Sequence, residues 1–247
     1  MNGDQNLTLI SLNIEGDNHL DKVLPFLKQQ QPDLICLQEV YRHSLPELKQ
    51  ELAVTSSFVP ICHDKDQQQQ YVGLKGTAIL TNLKTLTTKK VCYAGFDHVP
   101  NHQTGQCGPD AINRCLLSAA VVKNDSQKYQ IATTHFTWAG QGGTNAAQRR
   151  DIKQLKQELD QLGEFVLVGD FNNPRGEEIY NQLAEWYTDE IPQEITTTID
   201  GQFHRAGNLQ LVVDGLFTTD HYQAKNVEVL GGVSDHKAIS AKISKME

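Results

Sequence analysis

The 247-residue sequence predicts an α+β domain whose sheets are antiparallel or mixed. Three observations carry this. Short apolar runs alternate with helical patterns along the whole chain, with no internal repeat and no linker long enough to divide it, so residues 1–247 read as one domain. Three strand-like segments, 77–80, 116–122 and 129–134, follow one another without the strict strand–helix alternation of a parallel sheet. A chain of this length buries roughly 70 to 75% of its unfolded surface, enough for one large α/β or two-sheet domain.

Residues 7–13 and 34–38 read as strands, and between them Leu20, Val23, Leu24 and Leu27 follow a 3.6-residue spacing. Pro25 interrupts that spacing, so the helix is expected to kink or start late. After Glu39 a second helix carries a capping-box signature at Ser44 and Glu47, with Pro46 in its first turn. The longest helix is expected to start near Thr144 or Asn145, with Ile152, Leu155, Leu159 and Leu162 on one face. Residues 165–168 then form a buried strand ending at Gly169-Asp170, residues 209–213 a strand ending at Asp214, and residues 238–243 a last strand just after His236.

A formal charge of −8 argues against a basic scaffold that grips phosphate backbones non-specifically. It leaves room for an enzyme that meets phosphate through a bound cation. No stretch approaches the roughly 18 apolar residues of a membrane span, and residues 1–6 lack a basic and apolar leader pattern. The expectation is a soluble cytoplasmic monomer, or a secreted protein if a signal peptide has been removed. Cys36, Cys62, Cys92, Cys107 and Cys115, odd in number and scattered, suit reduced thiols better than a disulfide framework.

Polar residues stand where the apolar strands stop. Asn13 and Glu15 follow the first strand, Glu39 the second, His135 the segment 129–134, Asp170 and Asn172 the segment 165–168, and Asp214 the segment 209–213. If these ends converge, the carboxylates of Glu15, Glu39, Asp170 and Asp235 crowd one cleft. Two such charges about 5 Å apart repel by roughly 3 kcal/mol at an effective dielectric of about 20. A hard divalent cation relieves that repulsion, and an oxygen-rich donor set suits Mg²⁺ or Mn²⁺ better than Zn²⁺.

Seven runs in order resemble the motifs of the endonuclease/exonuclease/phosphatase superfamily. They are Leu12-Asn13-Ile14-Glu15-Gly16, Leu37-Gln38-Glu39-Val40, Gly76-Thr77-Ala78-Ile79-Leu80, Thr134-His135-Phe136, Gly169-Asp170-Phe171-Asn172, Val213-Asp214-Gly215-Leu216-Phe217 and Ser234-Asp235-His236. The superfamily spans DNase I, apurinic endonucleases, inositol polyphosphate 5-phosphatases, neutral sphingomyelinases and tyrosyl-DNA phosphodiesterase 2. The runs around Glu39 and His135, with Ala146-Ala147-Gln148-Arg149, are similar to the last of these branches and to unassigned bacterial members. The resemblance implies a DNase I-like, four-layer α/β/β/α sandwich of two mixed β-sheets, with the site at one end.

It also implies roles. Glu39 matches the principal metal ligand, with Asn13, Glu15 and Asp235 on the metal side and Asn13 also reaching the phosphate. Glu15 stands where many relatives have Asp. Asp170 orients and deprotonates the attacking water, with Asn172 beside it; His236, paired with Asp214, presents an imidazole to the phosphoryl oxygen; His135 contacts the phosphate or protonates the leaving group. Such residues belong to a Mg²⁺- or Mn²⁺-dependent phosphodiesterase or nuclease, with a phosphoester substrate and nucleic acid among the candidates. The alternatives are a phosphomonoesterase or phospholipase C-type enzyme on inositol or lipid phosphates, and a non-catalytic binding scaffold.

Other residues are read on their own chemistry. Arg114 is either a bidentate phosphate partner or a solvated strand-edge residue, and Arg149 and Arg150 read as a solvated helix face. The loop 136–144, with Trp138, Gly140, Gly142 and Gly143, leads into a helix N-terminus that favours anions, and Trp138 offers a stacking surface to a base or aromatic leaving group. The insertion 95–113 carries His98, His102 and Cys107, whose spacing with Cys92 or Cys115 matches no zinc pattern. Residues 64–70, with four consecutive glutamines, read as a solvated tip.

Overall fold

The computed structural model describes residues 6–66, 68–103, 111–124, 127–140 and 142–246, Gln103 through its backbone alone. In chain order the elements are β1 (Leu7–Asn13), α1 (Leu20–Gln30), β2 (Leu34–Tyr41), α2 (Leu45–Leu52), β3 (Thr55–Lys65), β4 (Tyr71–Thr81), β5 (Lys84–Ala94), β6 (Asn101–Gln103) and β7 (Arg114–Lys123). There follow β8 (Gln127–His135), α3 (Ala146–Asp160), β9 (Val166–Asp170), α4 (Glu178–Trp186), β10 (Thr188–Asp189), β11 (Asp214–Thr218), β12 (Tyr222–Leu230) and β13 (Ala238–Lys245). One sheet has seven strands in the order β12-β13-β1-β2-β4-β3-β6, the other six in the order β10-β11-β9-β8-β7-β5. Both are mixed, because β1–β2, β3–β6 and β8–β9 are parallel pairs among antiparallel neighbours.

The period-two alternation along β1 shows how the layers form. Leu7 and Leu9 enter the core that joins the two sheets, while Ile10 and Leu12 turn to the opposite face and pack with Val23 and Leu27 of α1 and Leu45 and Leu48 of α2. On the second sheet, Ile152, Leu155 and Leu159 of α3 and Ile179 and Leu183 of α4 join the larger core. The result is the expected α/β/β/α sandwich of two mixed sheets. Each fully buried Leu, Ile or Phe side chain contributes about 1.5–3 kcal/mol of hydrophobic stabilisation. Between the sheets, buried Gln38 donates to Ser11 Oγ at 3.3 Å and to Thr133 Oγ1 at 3.0 Å, a polar link from β2 to strands of both sheets.

Several expectations change. Helix α1 runs from Leu20 to Gln30 with Pro25 inside it, so it does not start late. Ser44 makes no capping bond to α2; its hydroxyl donates to Asp17. Helix α3 ends at Asp160, and Leu162 packs on the core from beyond it. Residues 209–213 form no strand; Asp214 opens β11 instead of closing one, and because β11 runs antiparallel to β9 it still comes opposite Asp170.

The reduced-thiol expectation fails at one pair. Cys92 and Cys115 lie opposite each other across the antiparallel β5–β7 ladder and are joined as a disulfide, while Cys36 and Cys62 remain free and buried. Disulfides persist in oxidising compartments, so this pair removes the support that reduced thiols lent to a cytoplasmic assignment. Cys107 and Gln67, which entered the readings of the 95–113 insertion and the glutamine run, lie outside the described residues. Among the described residues no helix is long and apolar enough to cross a membrane.

Candidate active site

Backbone geometry at the strand ends aims the polar residues at one cleft. Parallel pairing sets His135 beside Asp170, and antiparallel pairing sets Asp214 on the other side of Asp170. Just before Asp170, Gly169 has φ +151° and a Cβ there would meet the Thr134 carbonyl oxygen at 2.0 Å, so only glycine permits this close strand approach. Glu39 lies in a bulge where the β2–β4 register shifts between Leu37 and Val40, and its φ of +59° turns the side chain out of the ladder's alternation. Asn172, at φ +50°, turns the chain sharply after Asp170. Such left-handed backbone costs a non-glycine residue about 1–2 kcal/mol, which the surrounding sandwich must offset.

The cleft has a volume of about 490 Å³ and is lined by Glu15, Glu39, Arg114, His135, Trp138, Asp170, Asn172, Asp235 and His236 among others. Of the residues assigned a catalytic, cation or substrate role from the sequence, the structure brings all to this cleft, Asn13 and Asp214 through their neighbours. Asn13 Nδ2 donates to Glu39 Oε1 at 3.2 Å and to Asp170 Oδ2 at 3.1 Å, while its Oδ1 accepts from the Glu15 amide at 3.1 Å. Asp214 Oδ2 lies 2.8 Å from His236 Nδ1, tying the start of β11 to the segment that enters β13 in the other sheet.

Asp170 stands between two histidines. Its Oδ2 is 3.5 Å from His135 Nε2 and 3.9 Å from His236 Nε2, and its Oδ1 accepts from the Asn172 amide at 2.8 Å. Burial and then the Asp214 charge push the Asp170 carboxyl above its ordinary value, against the pull of His236 and His135. Burial alone would depress His236, but Asp214 and Asp170 outweigh it and hold the imidazole well above its usual range. For His135 burial wins over Asp170 and Glu39, and its pKa is lowered. At neutral pH the two imidazoles thus differ: His236 carries a proton's charge and His135 does not.

Arg114 is not the solvated strand-edge residue that was one of its two readings. It is 3% exposed, donates from Nη1 to the Phe136 carbonyl at 3.0 Å, and leaves Nε without a partner among the described residues. A buried guanidinium that lines the cleft puts fixed positive charge where an anion could bind. Asn172 Nδ2 donates to the same Phe136 carbonyl at 3.0 Å, so the strand end after His135 fixes both residues.

On the opposite wall the sequence reading missed three residues. Lys75 Nζ lies 3.2 Å from Glu39 Oε2 and 2.9 Å from Asp64 Oδ2. Asp64 is buried within β3 and not at a solvated tip; Tyr41 donates to its Oδ2 at 2.7 Å and His102 Nδ1 lies 3.1 Å from its Oδ1. Burial would raise Glu39, yet Lys75 and His135 bring it down to about 2. The signal for Lys75 was its position beside the Gly76–Leu80 run. His204 and Arg205, in the loop before β11, also line the cleft without sequence warning.

The donor set fits a hard divalent cation. Glu39 is ionised at neutral pH, Glu15 and Asp235 line the same cleft, and Asn13 is bonded to Glu39, so the donors are oxygen-rich and include no thiolate. Asp235 is pushed up to about 6, chiefly by burial, with Glu15 and Glu39 adding and His236 opposing; negative charge accumulates there. Glu15 takes part less directly, since its Oε2 is engaged by His19 Nε2 at 3.0 Å. The closest groups of ligating atoms among the described residues are Asp170–Asp214–His236 and Cys62–Asp64–His102, and in the second Lys75 already supplies a cation to Asp64.

The helix-terminus expectation is corrected. Asn145 caps α3 by accepting from the Gln148 amide at 2.9 Å, and residues 144–150 are not among those lining the cleft. The turn braces the site from behind: Gln148 Nε2 donates to the Thr137 carbonyl at 2.7 Å and the Asn172 carbonyl at 3.1 Å. Arg149 pairs with Glu178 and Arg150 with Asp151, away from the cleft.

Comparison with known proteins gives one consistent result. The Endonuclease/Exonuclease/phosphatase family matches residues 10–236. None of the curated proteins matches the chain by sequence. Among solved structures, a family protein from Bacteroides thetaiotaomicron has a TM-score of 0.75 at 15% identity, covering 98% of both chains. A mannosyl-6-phosphatase from the same organism has a TM-score of 0.72 at 15% identity, covering 96% of this chain and 99% of its own. TDP2 from D. rerio, complexed with a single strand DNA product, has a TM-score of 0.69 at 17% identity, covering 98% of this chain and 100% of its own. Identities this low speak for a shared fold.

Proposed function

The chain belongs to the Endonuclease/Exonuclease/phosphatase family, and from that premise we propose that it is a divalent-cation-dependent phosphoesterase, foremost a phosphodiesterase that cleaves a P–O bond with water. The observation that carries this reading is the Asp214–His236–Asp170 chain: a charged imidazole held by one carboxylate at 2.8 Å, with the other 3.9 Å from its second nitrogen. A phosphoester resists attack because its oxygens are anionic, so fixed positive charge must stand where that charge grows. His236, with Asp214 holding its Nδ1, presents a proton on Nε2 to a phosphoryl oxygen. Arg114, whose guanidinium lines the cleft, adds positive charge beside the same anion. Asp170 orients the attacking water and takes its proton, a task suited to a carboxylate whose pKa is raised. Asn13 holds Asp170 and Glu39 in fixed relation, and Asn172 fixes Asp170 through its backbone amide. His135, uncharged, contacts the phosphate, and it would protonate the leaving group only after first taking up a proton itself. Glu39, Asn13, Asp235 and, more remotely, Glu15 would hold Mg²⁺ or Mn²⁺, which supplies charge neutralisation on a non-bridging oxygen. Trp138 offers an apolar face to the group beyond the phosphate.

The test is hydrolysis of bis-p-nitrophenyl phosphate with Mg²⁺ or Mn²⁺, expected to cease with EDTA. A second reading, a phosphomonoesterase on a small phosphorylated molecule, is favoured by the formal charge of −8, which gives a polyanion no general attraction. A metal-supplemented screen of plasmid DNA, abasic duplex, 5′-tyrosyl oligonucleotide, inositol phosphates and sphingomyelin separates the two. Inactivity on every substrate, with tight binding of a protein partner, would favour a non-catalytic scaffold.

A further inference from the structure

We infer that Lys75 is the protein's own counter-cation for Glu39, and that it sets this wall's affinity for a divalent cation by competing for the Glu39 carboxylate. The inference rests on the reading of Glu39 as a cation ligand and goes beyond it. Both oxygens of Glu39 are in use: Oε1 accepts from Asn13 at 3.2 Å and Oε2 faces the Lys75 ammonium at 3.2 Å. A cation arriving at Glu39 must take or share the oxygen that Lys75 holds, and it meets a like charge in doing so.

Lys75 is held in that position. Its ammonium lies 2.9 Å from Asp64 Oδ2, with Asp64 1% exposed and fixed by Tyr41 and His102. The same ammonium sits 5.4 Å from the centroid of the Tyr41 ring, a cation–π contact on its remaining side. Two carboxylates thus share one ammonium. Asp64 gives Lys75 a partner to keep when Glu39 is claimed by another cation, and the flexible four-carbon stem of lysine allows the ammonium to move toward it. Lys75 is therefore a positioning residue: it keeps Glu39 aimed before a cation binds, and it weakens the binding when one does.

The experiment is Mn²⁺ titration of the full chain by electron paramagnetic resonance or calorimetry, without substrate. Lys75→Met removes the competitor and leaves Asp64 as an added negative charge, so the dissociation constant for Mn²⁺ is expected to fall at least about tenfold. Asp64→Asn leaves Lys75 leaning on Glu39 alone, and affinity is expected to weaken by at least about threefold. Lys75→Gln, with a polar head for the same space, carries the expectation of Lys75→Met should that variant not fold. Lys75→Arg keeps the charge and is expected to stay nearer the parent protein than either. A merely structural lysine would weaken binding on removal. Mn²⁺ affinity lost in Glu39→Gln but unchanged or weakened in folded Lys75→Met and Lys75→Gln overturns the inference alone. Mn²⁺ binding that ignores Glu39→Gln contradicts the cation reading beneath it.

Discussion

The two walls of the cleft handle charge in opposite ways. On the wall built from β9, β11 and the segment entering β13, carboxylates face imidazoles, and the consequence is a raised Asp170 and a raised His236. On the wall built from β2, β3 and β4, carboxylates face an ammonium, and Glu39 is driven down to about 2. The first wall keeps groups near the range where protons move. The second keeps them charged at any physiological pH, which is what a cation site needs. A histidine partner makes acid–base chemistry, and a lysine partner makes a permanent anion.

If that division holds, mutations on the two walls should fail differently. The largest effect is expected for Asp170→Asn and His236→Ala, each lowering kcat on bis-p-nitrophenyl phosphate at least about a hundredfold. Mn²⁺ affinity measured without substrate should change little in the same proteins. A loss of Mn²⁺ binding there would merge the two walls into one. Next, Arg114→Met is expected to raise KM about tenfold while leaving thermal stability equal or higher, because a buried guanidinium without a full set of partners is removed. An unchanged KM would take Arg114 out of substrate binding.

Asp235, next to His236 on the first wall, gives cation binding a pH signature of its own. Asp235 sits at about 6 and must lose its proton to serve a cation, so Mn²⁺ affinity should fall as pH drops through that value and level off above it. In Asp235→Asn that inflection should be missing from calorimetric titrations run between pH 5 and pH 8. The smallest functional effect belongs behind the site. Asn173 Oδ1 accepts from the Ile179 and Tyr180 amides at 3.1 and 3.0 Å and so caps α4. Asn173→Ala should cost about 1–3 kcal/mol in denaturant unfolding, with kcat/KM of the folded fraction close to the parent.

The same contrast explains what could be read from the chain in advance. Asp170, Asn172, Asp214 and His236 stand in short runs at the ends of central strands, where a polar residue after buried apolar ones is conspicuous. Lys75 and Asp64 lie inside long strands, β4 and β3, and a lysine or aspartate within a mixed run looks like the solvated side of a sheet. Their partnership joins neighbouring strands through a bulged register, which no local pattern records. The fold divides likewise. Central strands β1, β2, β8 and β9 are apolar and were legible, β1 to its bounds. The outer strands β5, β6, β10 and β12 were not, because a strand at a sheet's edge faces water with residues such as Lys84, Thr85, Thr87, Lys89 and Lys90 and loses the alternation that marks it. The Cys92–Cys115 bridge links the edge strand β5 to its inner neighbour β7, its cysteines 23 residues apart in sequence, and cysteine counting cannot see a cross-strand register.

The most direct measurement is the metal-dependent rate on bis-p-nitrophenyl phosphate for the parent protein, Asp170→Asn and Glu39→Gln, each with its Mn²⁺ titration. The expected result is hydrolysis by the parent alone, with Mn²⁺ still bound by Asp170→Asn and lost from Glu39→Gln. Hydrolysis that persists in EDTA, or full activity in Asp170→Asn, would contradict a cation-assisted phosphoesterase working in this cleft.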